Sequence, residues 1–226
     1  MDYMNPTTIL EFPYVFDEIT YDILTKEDEQ EALICLTNSF YKNDPIVTAL
    51  KIPYDSWKYL LQIYMPIFCS NGLCLIAKKN NKIVGVYTGT DYSDNDPDDI
   101  DKIDPIFIPV FNMLDKLDNL FKQKHSINGK FNIKNQIYHP CWSGIDPNFT
   151  RNKIGSNLFM IAIQMLMNKG FEIVKCEASG NYSSTILKKL GMYEVYNYYY
   201  SSDENLKIIS DSTQHDKCSL LEIYIN

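Results

Sequence analysis

The chain has 226 residues, 45% of them hydrophobic, which is enough for one sizeable core. Its net charge of −8 argues against general nucleic-acid binding, which needs a basic face. No apolar run approaches the roughly 18 residues that cross a bilayer, and the acidic start lacks the order of a secretory signal. We therefore expect one cytoplasmic domain over residues 1–226, a monomer or homodimer with no membrane or nucleic-acid partner.

The first half of the chain predicts a strand, two helices and a hairpin. Alternating apolar residues indicate the strand, and Thr25 with Asp28 three positions later forms a capping box that opens the first helix. Asp55 is the expected cap of the second helix. The predicted elements are a strand at 19–24, a helix to about 40, a loop at 41–53, a helix at 56–68 and hairpin strands at 73–77 and 83–90.

The second half begins with an acidic loop at 91–104 and continues with apolar residues at helical spacing from Pro105 to about Lys124. Glycines at 170 and 191 are suitable helix stops. The predicted elements that follow are a strand at 136–145, a helix to 168, a strand at 171–176, a helix at 183–190 and strands at 193–201 and 218–225.

This order places hairpins at both ends of a β-α-β crossover. It predicts an α/β protein of the mixed, α+β type: a sheet of about seven strands with helices on both faces and a helical insertion at about 91–135. Neither a GxGxxG fingerprint nor a P-loop follows any predicted strand, so a doubly wound nucleotide-binding fold is not expected.

The stretch from Ile137 to Leu158 reads as a strand, a polar turn and a helix start. The turn carries Arg151 and Lys153, and the helix opens at Gly155 and Ser156. Free N–H groups at a helix N-terminus, with cations beside them, suit a phosphate or pyrophosphate. The alternative is an ordinary helix start whose charges face water.

These residues resemble the GNAT N-acetyltransferase superfamily. Its Q/R-x-x-G-x-G/A turn is similar to residues 150–155, and its N-x-x-S…K-L-G-F helix is similar to residues 181–192. The nearest resemblance is to the arylalkylamine N-acetyltransferase branch. Residues 40–46 are similar to the F-x-x-(D)E-P-L loop of its insect-type members, and Asp44 takes the place of that loop's proposed base. His139 and Cys141 stand where vertebrate-type members have a His-x-His pair.

The resemblance implies acetyl-CoA as cosubstrate, with its pyrophosphate on the turn. Thr150 and Lys153 depart from the usual Gln or Arg and Gly, and Leu187 stands where many members have a tyrosine acid. Asn181 and Ser184 are expected near the pantetheine arm or the thiol. The other expected cofactor-binding residues are Ser143, Gly144, Ile145, Arg151, Asn152, Lys153, Ile154, Gly155 and Ser156.

Acetyl transfer needs a base, because an ammonium with a pKa of about 10 has no lone pair for attack. Strand alternation predicts His139, Cys141 and Ser143 on one face, with Trp142 and Gly144 on the other. His139 is the first candidate base, since histidine titrates near working pH; otherwise it is a strand histidine held by a carbonyl. We interpret Cys141 as a buried, inert thiol.

Asp44 is the second candidate base, although an aspartate before a proline is more often a turn or cap residue. Tyr198 is a candidate acid for the leaving thiolate. It is one of several tyrosines on the penultimate strand. Packing of the strand is the alternative for it.

The acidic loop at 91–104 fails as a calcium loop, because Asp99 stands where glycine is needed and Pro105 where glutamate is needed. No metal is therefore expected. The loop is either a solvated connection or a negative rim that attracts a cationic amine.

Together, these features predict an acetyl-CoA-dependent N-acetyltransferase for a small primary amine of the arylalkylamine or polyamine class. A catalytically silent acyl-CoA-binding module and a protein N-terminus or lysine acetyltransferase remain as alternatives.

Overall fold

A computed structural model describes residues 9–126 and 137–225. In these ranges the chain forms one mixed sheet of eight strands in the order β1-β2-β3-β4-β5-β6-β8-β7. Neighbouring strands are antiparallel except β5 and β6, which are parallel. The strands are β1 Tyr14–Phe16, β2 Ile19–Ile23, β3 Leu75–Lys79, β4 Lys82–Asp91, β5 Ile137–Ile145, β6 Ile173–Ala178, β7 Tyr193–Tyr199 and β8 Lys217–Tyr224.

Helices cover both faces of this sheet. Apolar residues of α1, α3 and α4 form one buried cluster with the first face, and those of α5 and α6 form a second cluster with the other. None of the helices in the described ranges is long and apolar enough to cross a membrane. The helices are α1 Glu29–Asn43, α2 Pro45–Ala49, α3 Tyr54–Ser70, α4 Ile108–His125, α5 Ile154–Asn168, α6 Asn181–Lys189 and α7 Lys207–Ser212.

The expected mixed sheet with helices on both faces is confirmed, with one strand more than the expected seven. The extra strand, β1, has three residues, too few to show an alternating pattern. The end of the predicted insertion and the first residue of the predicted strand, Gln136, lie outside the described residues.

The predicted loop at 41–53 is wrong. Asp44 ends α1 and caps α2, and Pro45 occupies the first position of α2, where its missing N–H has no cost. Asp55 is not a cap either, because α3 begins one residue earlier with Pro53 at its N-cap. A proline at the start of a short helix looks like a loop signal when only the sequence is read.

A cleft opens in the middle of the sheet. The parallel strands β5 and β6 pair only at Ile137 with Ile173 and at Tyr138 with Val174. Both strands then continue, β5 to Ile145 and β6 to Ala178, without pairing to each other. Past Tyr138, the backbone on this edge of β5 is therefore free of ladder hydrogen bonds to a neighbouring strand.

A β-bulge lies on the other edge of β5, where this strand pairs with β4. Cys141 and Trp142 together stand opposite the single residue Thr88, because β4 pairs Tyr87 with Ser143 and Gly89 with Pro140. The Thr88 hydroxyl donates to the Trp142 carbonyl at 2.9 Å and accepts from its N–H at 3.3 Å. The side chain thus satisfies backbone groups that the bulge removes from the ladder.

The bulge changes which residues share a face. Cys141 and Trp142 both pack with the α1, α3 and α4 cluster, whereas Ser143 pairs with Tyr87, which packs against α5. The prediction that Ser143 shares a face with His139, and that Trp142 lies opposite Cys141, is therefore wrong. A simple alternation rule cannot include an extra residue in the strand.

Candidate active site

Asp44 lies where α1 meets α2 and is held from two sides. Its Oδ1 accepts hydrogen bonds from the backbone N–H groups of Ile46 at 2.9 Å and Val47 at 3.0 Å. Its Oδ2 accepts from Ser179 Oγ, just beyond β6, at 2.8 Å. Burial raises the pKa of Asp44 above its ordinary value, although these hydrogen bonds act in the opposite direction. Its carboxylate is therefore both a helix cap and a stronger base than an exposed aspartate.

Two further residues complete the surroundings of Ser179. The hydroxyl of the fully buried Tyr200 donates to the Ser179 carbonyl at 2.6 Å. His215 Nδ1 accepts from the N–H of Asn181 at 2.9 Å, which leaves the ring proton on Nε2. A Cβ on Gly180 would lie 3.0 Å from that Nδ1, so the backbone approaches the ring closely here.

Sequence reasoning missed Ser179, Tyr200 and His215. His215 follows a segment without a regular pattern, and its only signal is that histidine is rare in this chain, with three in all. A cavity of about 430 Å³ lies beside Asp44 and is lined by residues of α1, α2 and the α7–β8 connection, among them Asn43, Pro45, Thr48, Thr213 and His215.

His139 lies on β5 at the point where β5 and β6 separate, with 30% of its side chain exposed. Its Nε2 is 2.7 Å from Glu177 Oε2, on the far side of the cleft. Glu177 Oε1 is 2.5 Å from Lys175 Nζ, and Lys175 Nζ is 3.0 Å from Asp118 Oδ1 on α4. The side chains of Glu177 and Lys175 are only 7% and 2% exposed. The predicted base is thus the end of a buried chain of charges.

The Asp44 and His139 groups belong to the same cleft. Glu177 and Ser179 are two positions apart on β6 and its extension, so they are separated by roughly 7 Å in extended chain. Through these two residues the structure brings both candidate bases to the edge of β6.

Tyr198 does not join them. Its hydroxyl donates to Asp203 Oδ2 at 2.6 Å and accepts from Lys116 Nζ at 3.1 Å. Burial and the contact with Asp203 raise the pKa of Tyr198. The tyrosine that reaches the Asp44 group is Tyr200, two positions later. Cys141 is a poor nucleophile, because burial raises the pKa of its thiol far above the ordinary value.

The turn before α5 has the backbone of an anion site. Arg151 and Lys153 are exposed and have φ angles of 67° and 58°, the left-handed region that favours glycine. Lys153 is the N-cap of α5 and makes no side-chain capping bond, so the first N–H groups of α5, from Ile154, Gly155 and Ser156, lack a side-chain cap. A cavity of about 400 Å³ adjoins the turn and is lined by Tyr21, Lys79, Arg151, Asn152, Lys153 and Asn157.

The other predicted cofactor-binding residues differ in exposure and in the hydrogen bonds that they already make. Ser143 is exposed on the α5 side, whereas Gly144 faces α1, since a Cβ there would lie 2.9 Å from Ser39 Cβ. The N–H of Ile145 already donates to Ser39 Oγ at 3.1 Å. Among the described residues, no partner is found for the buried hydroxyl of Ser184, and the Asn181 amide donates to the Gln214 carbonyl at 2.8 Å.

Two side chains of the acidic loop are tied to α3. Asp104 accepts from Ser56 Oγ at 2.7 Å, and Asp96 accepts from the Tyr64 hydroxyl at 2.9 Å. In the ranges 9–126 and 137–225, no cluster of three or more His, Cys, Asp or Glu side chains is arranged to hold a metal ion.

No model of a known protein family matches the sequence. Among solved structures, arylalkylamine N-acetyltransferase 2 from Aedes aegypti is 20% identical, with a TM-score of 0.73 over 93% of this chain and 100% of that one. The Drosophila melanogaster polyamine N-acetyltransferase is 15% identical, with a TM-score of 0.63 over 91% of this chain and 99% of that one. The C-terminal condensation domain of Ebony, in complex with beta-alanyl-dopamine, is 15% identical, with a TM-score of 0.78 over 91% of this chain and 98% of that one.

The chain therefore has the GNAT fold, in the form shared by insect arylalkylamine and polyamine N-acetyltransferases. At these identities the likeness concerns the fold, and the chemistry has to be argued from the site.

Proposed function

We propose that this protein is an acetyl-CoA-dependent N-acetyltransferase for a small primary amine, arranged as one domain over residues 1–226. The observation that carries the proposal is that two candidate bases, Asp44 and the His139–Glu177 pair, lie at a cleft that the sheet leaves open, and that the N-terminus of α5, without a side-chain cap, follows the end of the same strand β5. The structural neighbours that act on arylalkylamines and polyamines support the choice of acceptor.

The described residues fit a CoA thioester. The N-terminus of α5, with Arg151 and Lys153 beside it, is suited to the pyrophosphate, and the buried unpartnered hydroxyl of Ser184 is suited to a polar group of the pantetheine arm. Ser143 is exposed on the same side of the sheet as α5. Acetyl-CoA would supply the thioester from which the acetyl group is taken.

The chain's own residues take the first of the two protons that the substrate nitrogen loses. His139 takes it from the substrate ammonium, which frees the nitrogen lone pair. The N–C bond forms as the C–S bond breaks, and the nitrogen then releases its second proton, which passes through water to the departing thiolate, whose thiol has a pKa of about 8.5 by analogy with cysteine. Free N–H groups on the open edge of β5 are suited to the developing oxyanion. Asp44, from the other end of the cleft edge, holds the ammonium before it loses its proton.

An aromatic wall favours an arylalkylamine over a polyamine. The bulge sends Trp142 to the same face as His139, where its ring centroid lies 5.0 Å from that of Tyr64 and 5.9 Å from that of Phe68. Tyr92 lies edge-on to the His139 ring at 6.3 Å. Phe68 is fully buried behind Trp142, whereas the rings of Trp142, Tyr64 and Tyr92 are only partly buried and are suited to contact a flat apolar group.

The test is CoA release from acetyl-CoA by the purified protein, followed with a thiol reagent, against aryl-ethylamines, agmatine and spermidine. Turnover with an arylalkylamine, and its loss in Asp44→Ala and His139→Ala, is the expected result. Absence of CoA release with every amine would exclude the proposal.

A silent acyl-CoA-binding module is the second candidate. It is favoured by Lys153, a bulky residue in a left-handed position where the resemblance implies glycine, and by Leu187 in place of a tyrosine. It predicts saturable CoA binding without turnover, so the same assay and a calorimetric titration with CoA separate the two functions.

A further inference from the structure

The His139 ring has one occupied and one open nitrogen. Its Nε2 is 2.7 Å from Glu177 Oε2, and within the described ranges no hydrogen-bond partner is found for Nδ1. An ionised carboxylate only accepts hydrogen bonds, so the shared proton belongs to Nε2 when the ring is neutral. The lone pair is then on Nδ1. The tautomer of His139 is therefore decided by the charge state of Glu177.

Glu177 is ionised because of its neighbours. Burial alone would raise the pKa of its carboxyl, but the charges of Lys175 and His139 and their hydrogen bonds hold that pKa well below its ordinary value. Lys175 is in turn held by Asp118, and its Nζ lies over the rings of Tyr92 at 5.1 Å and Phe121 at 5.6 Å. The lysine is thus unable to turn away to solvent.

Every element around this group contributes a charge or a titratable side chain. Strand β8 adds Glu222, which stands across from Lys175 in the sheet register, but the Glu222 carboxylate is already bound by three other side chains. The three partners of Glu222 are Lys124, His125 and Tyr193. The charged or titratable groups around His139 are therefore Glu177 and Lys175 of β6, Asp118 and Lys122 of α4, Tyr92 beyond β4 and Cys141 of its own strand.

A gain in the stability of the fold does not explain this series of buried charged side chains. Buried ion pairs lose as much in desolvation as they gain by attraction, and apolar replacements of the same volume are often neutral or better. A carboxylate behind a histidine, by contrast, sets the ring's tautomer and orientation and stabilises the imidazolium that forms when the ring takes a proton.

We propose that Glu177 is the positioning residue of the site: it holds the His139 ring across the cleft with the proton on Nε2, so that Nδ1 is the atom that receives the amine proton. Lys175 and Asp118 hold Glu177 in place for this purpose. The inference rests on the proposed acetyl transfer for its catalytic meaning, but the tautomer itself can be measured without any substrate.

The first experiment is nitrogen-15 NMR of the histidine rings in the full-length wild-type protein. The His139 signals are assigned by their loss in His139→Gln. We expect a protonated Nε2 and an unprotonated Nδ1 for the neutral ring. A neutral ring with its proton on Nδ1 would overturn the inference, whatever the protein does with amines.

The second experiment uses Glu177→Gln, which keeps the shape and removes the charge. A glutamine can donate as well as accept, so the ring is no longer fixed, and we expect mixed tautomer signals with a 10- to 100-fold fall in kcat/KM, a size typical of lost orienting partners. The acidic limb of the pH profile moves to lower pH, because the imidazolium loses an adjacent anion.

The matched control is Glu222→Gln, the same change at a second buried carboxylate on the same face of the sheet. It is expected to lower stability without altering the His139 signals or the pH profile. Unchanged His139 signals and an unchanged pH profile in Glu177→Gln would refute the positioning role. A wild-type protein without turnover would instead refute the proposed function, so the two failures are distinct.

Discussion

Asp44 Oδ2 and Ser179 Oγ lie 2.8 Å apart although 135 positions separate them in the chain. The bond joins the start of α2 to the end of β6, across the mouth of the cleft. It gives Asp44 a partner that an ordinary helix cap does not need, and it is one reason to place Asp44 in the site and not only in the helix.

The first prediction concerns Asp44→Asn. Asparagine caps helices as well as aspartate, so the fold is kept, but the carboxylate that holds the ammonium is lost. We expect kcat/KM to fall about 100-fold, a loss of about 2.7 kcal/mol in transition-state stabilisation, with little change in the melting temperature. Steady-state kinetics and thermal unfolding of the same preparation provide the two numbers.

Asp104→Asn is a close control for that variant. Asp104 also precedes a proline, accepts from a backbone N–H two positions later at 3.0 Å, and accepts from a serine hydroxyl, that of Ser56, at 2.7 Å. If Asp104→Asn lowered kcat/KM as much as Asp44→Asn does, the effect would come from the cap and not from the site.

The second prediction concerns Lys153→Gly. Glycine removes the cost of a left-handed lysine, about 1 kcal/mol, so stability is unchanged or slightly higher. The flanking charge is lost, and we expect the dissociation constant for CoA to rise about threefold to fivefold, the scale of one charge at a helix N-terminus. Calorimetric titration at low and high salt measures the change.

Lys51→Gly is the control for this change, since Lys51 is another exposed lysine with a left-handed backbone, at φ 53°, between α2 and α3. It is expected to bind CoA like the wild type. Tighter CoA binding by Lys153→Gly would mean that the lysine blocks the phosphate instead of holding it.

The third prediction concerns Thr88→Val, which keeps the shape of the side chain and removes the hydroxyl. Both backbone groups of Trp142 at the bulge then lose their partner in a buried place, and we expect a loss of about 2 kcal/mol in the free energy of unfolding. Because Trp142 shifts, KM for an aryl-ethylamine rises more than KM for spermidine. Thr88→Ser, which keeps the hydroxyl, is expected to retain the preference for the aryl substrate; equal effects on both amines would contradict the aromatic wall.

The fourth prediction concerns acid stability. Hydrogen bonds from Asn197 and Lys217 and the charges of Lys217 and Lys188 lower the pKa of Glu194 from 4.5 to about 2. A depressed carboxyl pKa stabilises the fold above pH 4.5, and that contribution is lost as the pH falls toward 2. Glu194→Gln is expected to cost about 1 kcal/mol at pH 7 and progressively less below pH 4.5. Urea unfolding at pH 7, 5, 4 and 3 measures it, and a difference that does not change with pH would contradict this origin.

The sequence predicts some elements of this structure well and others poorly. The strand, turn and helix around Arg151 and Lys153 follow from local pattern, and so does the parallel crossover between β5 and β6. The local pattern does not predict helix α2, because an Asp-Pro pair begins turns and helices alike. Lys175 stands inside an apolar strand, and a lysine in such a place indicates a buried partner. Hydrophobic periodicity does not detect this signal.

The rest depends on contacts that no local pattern encodes. The bulge at Cys141 and Trp142 is decided by Thr88 on another strand, and His215 is positioned by its bond to the backbone of Asn181. Ser179 contacts Asp44 only because the start of α2 meets the end of β6. Long-range contacts of this kind determine which histidine, serine or tyrosine lies near Asp44, so Tyr200 contacts Ser179 whereas the predicted Tyr198 contacts Asp203 and Lys116.

The two residue pairs that join β5 to β6 have a mechanical consequence. Beyond Tyr138, two side-chain bonds among the described residues reach the edge of β6 at the cleft: that of His139 to Glu177 joins β5 to β6, and that of Asp44 to Ser179 joins the α1–α2 junction to the end of β6. The bonds that hold the two candidate bases are therefore also contacts between β6 and the elements on the other side of the cleft. Widening the gap for a ligand stretches both of them together, so ligand entry and the alignment of the bases are one motion.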